Sequence, residues 1–240
     1  MSEKYQVNLT FLGDMALRES CINMYKHVVK RVADFFLSFL AIVVLAIPML
    51  IVAIAIKIDD PGPVLFKQKR IGINKKGQVS YFMIWKFRSM KMSTPHDVPT
   101  HLLENPEQYI TRVGRFIRKT SIDELPQIYQ VFSGKLSCIG PRPALWNQTN
   151  LWEEREKYGA NNIKPGITGW AQINGRDELE ISEKAKLDGE YAAALNAGWF
   201  RGFVMDVRCF FGTVKAVLRS DGVVEGGTSE LKKEEETVMK

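Results

Sequence analysis

The chain is poor in the residues that build many reactive centres. It has 240 residues but only three cysteines (Cys21, Cys138, Cys209) and three histidines (His27, His96, His101). The cysteines stand far apart with no CxxC pair, which argues against a disulfide framework or structural zinc and fits a reducing compartment. HExxH is absent, so a catalytic zinc of that kind is not expected. No Ser-His-Asp arrangement, Walker A or Rossmann fingerprint occurs. Acidic residues are scarce in one place: residues 57–92 hold nine Lys or Arg and only Asp59 and Asp60. That segment carries +7, against +6 for the whole chain, so the remainder is close to neutral. Such a block suits anionic headgroups or phosphorylated ligands. No signature of a DNA- or RNA-binding module accompanies it, and nucleic acid is not an expected partner.

What is abundant is apolar sequence. Hydrophobic residues make up 45% of the chain, and 20 of the 22 residues at 35–56 are apolar. A helix of that length rises about 33 Å, enough for a hydrocarbon core of about 30 Å. Two features argue against simple spanning. Pro48 interrupts the run. Lys26, Lys30 and Arg31 precede it, and Lys57, Lys67, Lys69 and Arg70 follow it, so both ends ask for the cytoplasmic side. A helix–break–helix that enters and leaves on one face satisfies both. Upstream, residues 12–34 read as an amphipathic helix, interfacial or packed on the body.

The expected class is α+β: a mostly helical globular domain with short strands, a re-entrant membrane segment and amphipathic interfacial helices. The divisions are an N-terminal segment at 1–34, the membrane helix at 35–56 broken at Pro48, a catalytic domain at 57–220 and a charged, flexible tail at 221–240. Residues 64–66 and 79–87 read as strands around the Asn74-Lys75-Lys76-Gly77 turn. Residues 92–107 read as a polar loop, and helices are expected at 108–118, 123–132, 150–158, 178–197 and 203–218. The last has a broad apolar face of Phe203, Val204, Val207, Phe210, Phe211, Val214 and Val217.

Three stretches could carry chemistry. In Ser121-Ile122-Asp123-Glu124-Leu125-Pro126, Ser121 and Glu124 match a capping box. That register puts Pro126 where its missing N–H breaks a helix bond; a start at Asp123 puts it at the third position, where none is lost. Asp123 and Glu124 then sit at the positive helix end, suited to a nucleophile or a metal ligand. The residues alone favour the cap. Gly140-Pro141-Arg142-Pro143 is a stiffened turn that presents Arg142, suited to a phosphate or simply to the surface. The glycine-rich stretch from Lys164 to Arg176 permits close backbone approach, with Trp170 stacking or packing in the core.

Five motifs occur in order: Lys30-Arg31 through the proline-broken apolar run; Lys86-Phe87-Arg88-Ser89-Met90; Arg118-Lys119-Thr120-Ser121-Ile122-Asp123-Glu124-Leu125-Pro126-Gln127; Ile139-Gly140-Pro141-Arg142-Pro143; and Lys164-Pro165-Gly166 through Arg176. In these the chain resembles the bacterial sugar transferases called monotopic phosphoglycosyltransferases, over residues 30–218. The resemblance implies transfer of a sugar-1-phosphate from a UDP-sugar to polyprenyl (undecaprenyl) phosphate, with release of UMP, at the cytoplasmic face of the bacterial membrane. It implies Asp123 as nucleophile, Glu124 as the ligand of Mg²⁺, and Arg88, Arg118, Arg142, Lys164 and Arg176 as substrate-binding residues. Asp206 matches an aspartate of the family's C-terminal helix. The alternative is a membrane-anchored binding or scaffolding protein of glycan assembly without turnover. The sugar, the pathway and self-association into a homo-oligomer are left open.

Overall fold

A computed structural model describes residues 15–74, 78–94, 106–175 and 179–219. The expected tail at 221–240, most of the 92–107 loop, the tip of the turn at 75–77 and Arg176 lie outside the described residues.

The largest element is α1, a helix over Met15–Asp59. The two segments expected at 12–34 and 35–56 form one rod, with a π-helical turn at Tyr25–Val29 and α-helix over Lys30–Asp59. Helical backbone persists through Pro48, so any bend there is carried within the helix. Proline removes one backbone bond, and the apolar neighbours on both sides keep the rest. Asp34, Ser38, Met49 and Ile56 form a buried stripe, while Phe36, Leu40, Val43, Ile47, Leu50, Ile54 and Ile58 face outward. Ile47 is 71% exposed and Ile58 78%. By length and composition α1 is able to cross a membrane.

Polar side chains fasten both ends of the apolar run of α1 to the folded body. Near its start, Arg31 donates to the carbonyls of Val131 (2.8 Å) and Phe132 (2.6 Å). Asp34 accepts from Ser137 Oγ (2.8 Å) and Cys138 N (2.9 Å). At its end, Asp59 accepts from Val113 N (2.9 Å), and Asp60 pairs with Arg88 (2.6 Å) and Met92 N (3.0 Å).

The chain after Asp60 forms the expected hairpin. Strand β1 (Leu65–Ile71) pairs antiparallel with β2 (Tyr81–Phe87), from Leu65 opposite Phe87 to Ile71 opposite Tyr81. Phe82 and Ile84 face inward onto Val131 and Leu136. Then come α2 (Arg112–Lys119), capped by Thr111 through Gly114 N, and α3 (Gln127–Phe132). Strand β3 (Ser137–Ile139) pairs in parallel with β4 (Gly166–Thr168). The approach needs glycine, because a Cβ on Gly166 would lie 2.2 Å from Gly140 N. The glycine-rich stretch from Lys164 is thus partly strand, followed by a short helix α5 (Trp170–Ile173).

Helices α4 (Thr149–Glu156) and α6 (Ile181–Ala197) are locked by a buried ion pair: Arg155 Nε lies 2.8 Å and its terminal nitrogen 2.5 Å from Asp188. The last helix, α7 (Trp199–Arg219), buries Gly202, Asp206 and Cys209. Trp199, Phe200, Phe203, Phe210, Phe211 and Val214 face outward. A helix of a water-soluble body buries its apolar face; α7 does the reverse, as an interfacial helix does.

Candidate active site

Three segments meet at the site. After α2 the chain turns through Ser121, whose φ of 56° is the one positive value of a non-glycine residue among those described. Hydrogen bonds from Ser121 N to Arg118 O (3.0 Å) and from Glu124 N to Ser121 O (3.2 Å) hold this turn. One 3₁₀ turn, Ile122–Glu124, follows. Ile122 and Leu125 pack against a cluster of Met49 and Ile56 of α1 with Phe87 and Ile117. Anchored by these two apolar residues, the turn sends Glu124 toward β2 and the loop after β3.

Glu124 is gripped by two cations. Lys86 Nζ donates to Oε1 at 2.9 Å. Arg142 clamps both oxygens, one contact being 3.0 Å to Oε2. Such a bidentate, charge-assisted pair is strong and directional. Burial alone would raise the Glu124 pKa, but the Arg142 guanidinium and the Lys86 ammonium outweigh it and hold the carboxyl well below its usual range. Among the described residues, no hydrogen bond or ion pair ties up the neighbouring Asp123 carboxylate. Burial pushes its pKa up to about 6; Lys86 pulls it down, the Glu124 charge adds to the rise, and Arg118 and Arg142 oppose it. Two adjacent carboxyls are thus driven apart, which is how sites separate their roles.

The capping box is not formed: Ser121 makes no side-chain cap, and Glu124 is committed to Lys86 and Arg142. The helix expected from Asp123 begins instead at Gln127, with Pro126 as its N-cap. Proline is placed just before the helix, where no bond is lost. The carboxylates therefore owe their charge state to burial and three nearby cations rather than to a helix end.

Of the residues expected in the site, Asp123, Glu124, Arg118 and Arg142 come together. Arg88 does not join them; it is buried against Asp60 at the end of α1. The Lys164 side chain lies in the field of Arg31, Asp34 and Lys30, and burial lowers its pKa. Its carbonyl packs on Gly140. The residue not selected from the sequence is Lys86. A signal for it existed: Phe82, Ile84 and Lys86 share one face of β2, so a lysine continues a row of core residues and needs a buried acceptor.

Beside its contacts to Lys86 and Arg142, Glu124 keeps a lone pair on Oε2, and Asp123 keeps both oxygens, so the pair can still offer oxygen to a hard cation. Mg²⁺ is commonly held by one or two carboxylates together with substrate phosphates. Among the described residues no group of three or more His, Cys, Asp or Glu is assembled to hold a metal without such help.

Comparison with known proteins shows the family. The model of the family described as bacterial sugar transferase matches residues 25–220. The chain is 36% identical over 201 residues to the UDP-glucose:undecaprenyl-phosphate glucose-1-phosphate transferase of Escherichia coli K12, covering 82% of this chain and 42% of that protein. It is 41% identical over 197 residues to the undecaprenyl-phosphate glucose phosphotransferase of Komagataeibacter xylinus, covering 78% and 35%. It is 32% identical over 198 residues to the UDP-N-acetylgalactosamine-undecaprenyl-phosphate N-acetylgalactosaminephosphotransferase of Aeromonas hydrophila, covering 81% and 44%. The chain thus spans less than half the length of these relatives. The matched region runs from the buried Tyr25 of α1 past the end of α7 and encloses the whole carboxylate–cation cluster, and the chain belongs to the bacterial sugar transferase family.

Proposed function

We propose that this chain transfers a sugar-1-phosphate from a UDP-sugar to undecaprenyl phosphate at the cytoplasmic face of a bacterial membrane, as the first membrane step of glycan assembly. The observation that carries the reading is the unequal carboxyl pair: Glu124 is bound by Lys86 and Arg142, while Asp123 beside it is uncommitted.

The chemistry runs in two displacements. A carboxylate oxygen of Asp123 attacks the β-phosphorus of the donor. The bond from that phosphorus to the bridging oxygen breaks, and UMP departs with that oxygen. The phosphosugar is then an acyl phosphate on Asp123. A phosphate oxygen of the lipid attacks the same phosphorus, the bond to Asp123 breaks, and the carboxylate is restored. A carboxylate nucleophile divides one difficult transfer into two easier ones. Arg118 and Arg142 orient the phosphates, because phosphoryl transfer depends on positioning and charge neutralisation. Asp123 and Glu124 would hold Mg²⁺ with the donor phosphates, and the ion would neutralise charge on the departing UMP.

The membrane reading rests on α1 and α7. Their outward faces are apolar and aromatic. The two ends of the apolar run are fastened to one folded body, at Arg31 and Asp34 and at Asp59 and Asp60. A helix crossing about 30 Å of hydrocarbon would place those ends on opposite faces. One body holding both ends supports a run that enters and leaves on one face.

Two experiments test this. A panel of UDP-hexoses and UDP-N-acetylhexosamines with undecaprenyl phosphate should yield UMP with at least one donor; no UMP from any would refute the activity. In a Cys21→Ser background, Glu19→Cys and Ile58→Cys should react with an impermeant thiol reagent from the same membrane face. Labelling from opposite faces would refute re-entry.

A further inference from the structure

Asp206 lies in the buried stripe of α7, and three donors converge on it. Tyr25 Oη donates to Oδ2 at 2.6 Å, Tyr191 Oη to Oδ1 at 2.6 Å, and Lys30 Nζ to Oδ2 at 2.7 Å. The other two ammonium protons of Lys30 reach Tyr191 Oη at 3.0 Å and the carbonyl of Ile139 at 3.4 Å. Tyr191 Oη lies 3.2 Å from that carbonyl too. The proton count closes: three from the ammonium and one from each phenol meet Asp206, Tyr191 Oη and Ile139 O. Burial, aided by the Asp206 charge, holds both phenols protonated.

The position of Ile139 makes this more than a core contact. It ends β3, and Gly140-Pro141-Arg142 follows directly. The far side of that turn is also held, since Gly140 N donates to Thr168 O (2.8 Å) and Gly166 N to Pro141 O (3.0 Å). The backbone that presents Arg142 is therefore clamped between β4 and the Asp206 cluster. That cluster is assembled from three helices: Lys30 from the start of the apolar run of α1, Tyr191 from α6 and Asp206 from α7.

We propose that Lys30, Tyr191 and Asp206 are positioning residues that transmit the seating of α1 and α7 to the active site, by fixing the Ile139 carbonyl and so aiming Arg142 at Glu124. This rests on the transferase reading only in treating the Arg142–Glu124 contact as functional. None of the three touches the reacting atoms. An ion pair used for cohesion alone would have no need to reach the strand end that feeds Arg142.

A matched pair of variants in the full chain, held in lipid nanodiscs, separates positioning from cohesion. Tyr25→Phe and Tyr191→Phe each remove one hydroxyl from Asp206, and only Tyr191→Phe also removes an acceptor of Lys30, the residue that donates to Ile139 O. Two quantities are read: the rate at which phenylglyoxal modifies Arg142, by peptide mass, and kcat and KM for the UDP-sugar. Tyr25→Phe should match the wild type in both. Tyr191→Phe should speed Arg142 modification several-fold and lower kcat about fivefold, the size of one ordinary hydrogen bond, with KM little changed. Lys30→Arg keeps Asp206 charge-paired while replacing the three-proton ammonium, and it should behave as Tyr191→Phe. Equal Arg142 reactivity in both tyrosine variants overturns the proposal, as does an equal loss of kcat in both. Arg142 reactivity needs no turnover, so a wild-type protein that releases no UMP refutes the transferase reading while the reactivity still decides this one.

Discussion

Lys86→Gln is the perturbation with the clearest electrostatic consequence. Lys86 Nζ sits 2.9 Å from Glu124, and it is the largest of the influences that lower the Asp123 pKa. With Lys86 present, the Asp123 carboxyl titrates at about 6. A carboxyl of that pKa is about 90% ionised at pH 7. At the separation of ordinary neighbouring side chains, about 5 Å, a unit charge at an effective dielectric of about 20 is worth about 3 kcal/mol, or roughly 2 pKa units. Solvent at this half-buried position reduces that to about 1 unit. Removing the ammonium should therefore raise the Asp123 pKa to about 7 and leave about half of it ionised at neutral pH. The nucleophile is the ionised form, so activity is lost as pH falls through this value, and a raised pKa moves the loss to higher pH. The assay is the pH profile of kcat/KM for UMP release between pH 5 and 9, at one fixed Mg²⁺ concentration, for wild type and Lys86→Gln. The acid limb reports the free enzyme and should shift upward by about one unit, whatever happens to the plateau. A lower plateau with an unmoved limb would refute the electrostatic argument.

Three further outcomes follow from particular contacts. Gly166→Ala would place a Cβ 2.2 Å from Gly140 N, so overpacking should cost about 2–3 kcal/mol and lower Tm by roughly 5–10 °C in a thermal melt; an unchanged Tm would mean that the β3–β4 approach is not that close. Asp188→Asn leaves the buried Arg155 guanidinium uncompensated and should destabilise by about 3–5 kcal/mol in denaturant unfolding, whereas a loss under about 1 kcal/mol would show the pair to be solvated. Chelation with EDTA should lower UMP release by about 100-fold or more, with recovery on adding Mg²⁺; full activity in EDTA would remove the metal from the scheme.

Much of this architecture was legible in the sequence, and the parts that were not share a cause. Two short strand-like stretches around the Asn74-Lys75-Lys76-Gly77 turn marked the hairpin, and Gly140-Pro141-Arg142-Pro143 marked a rigid turn, because both signals are local. The Asp123-Glu124 pair was visible, but whether it caps or reacts depended on Lys86 and Arg142, which approach from 38 and 18 residues away. Lys86 and Arg88 stand in one motif with the same charge. Only the packing of β2 shows that Lys86 faces Glu124 while Arg88 turns to Asp60. The continuity of α1 was hidden by the change from a charged to an apolar stretch near residue 35, since the helical backbone does not record side-chain polarity. The Asp206 cluster was least legible, because its other residues lie 15 to 181 positions from Asp206 and none forms a motif with it.

The central claim is that Asp123 carries the phosphosugar between donor and lipid. Incubating the protein with Mg²⁺ and a UDP-sugar that it turns over, without polyprenyl phosphate, and recording its intact mass tests this most directly. The account predicts one added sugar phosphate per chain, stoichiometric UMP, loss of the adduct when polyprenyl phosphate is supplied, and no adduct on a folded Asp123→Asn variant. UMP release that requires the lipid phosphate and leaves the mass unchanged, or an adduct that persists in Asp123→Asn, would contradict it.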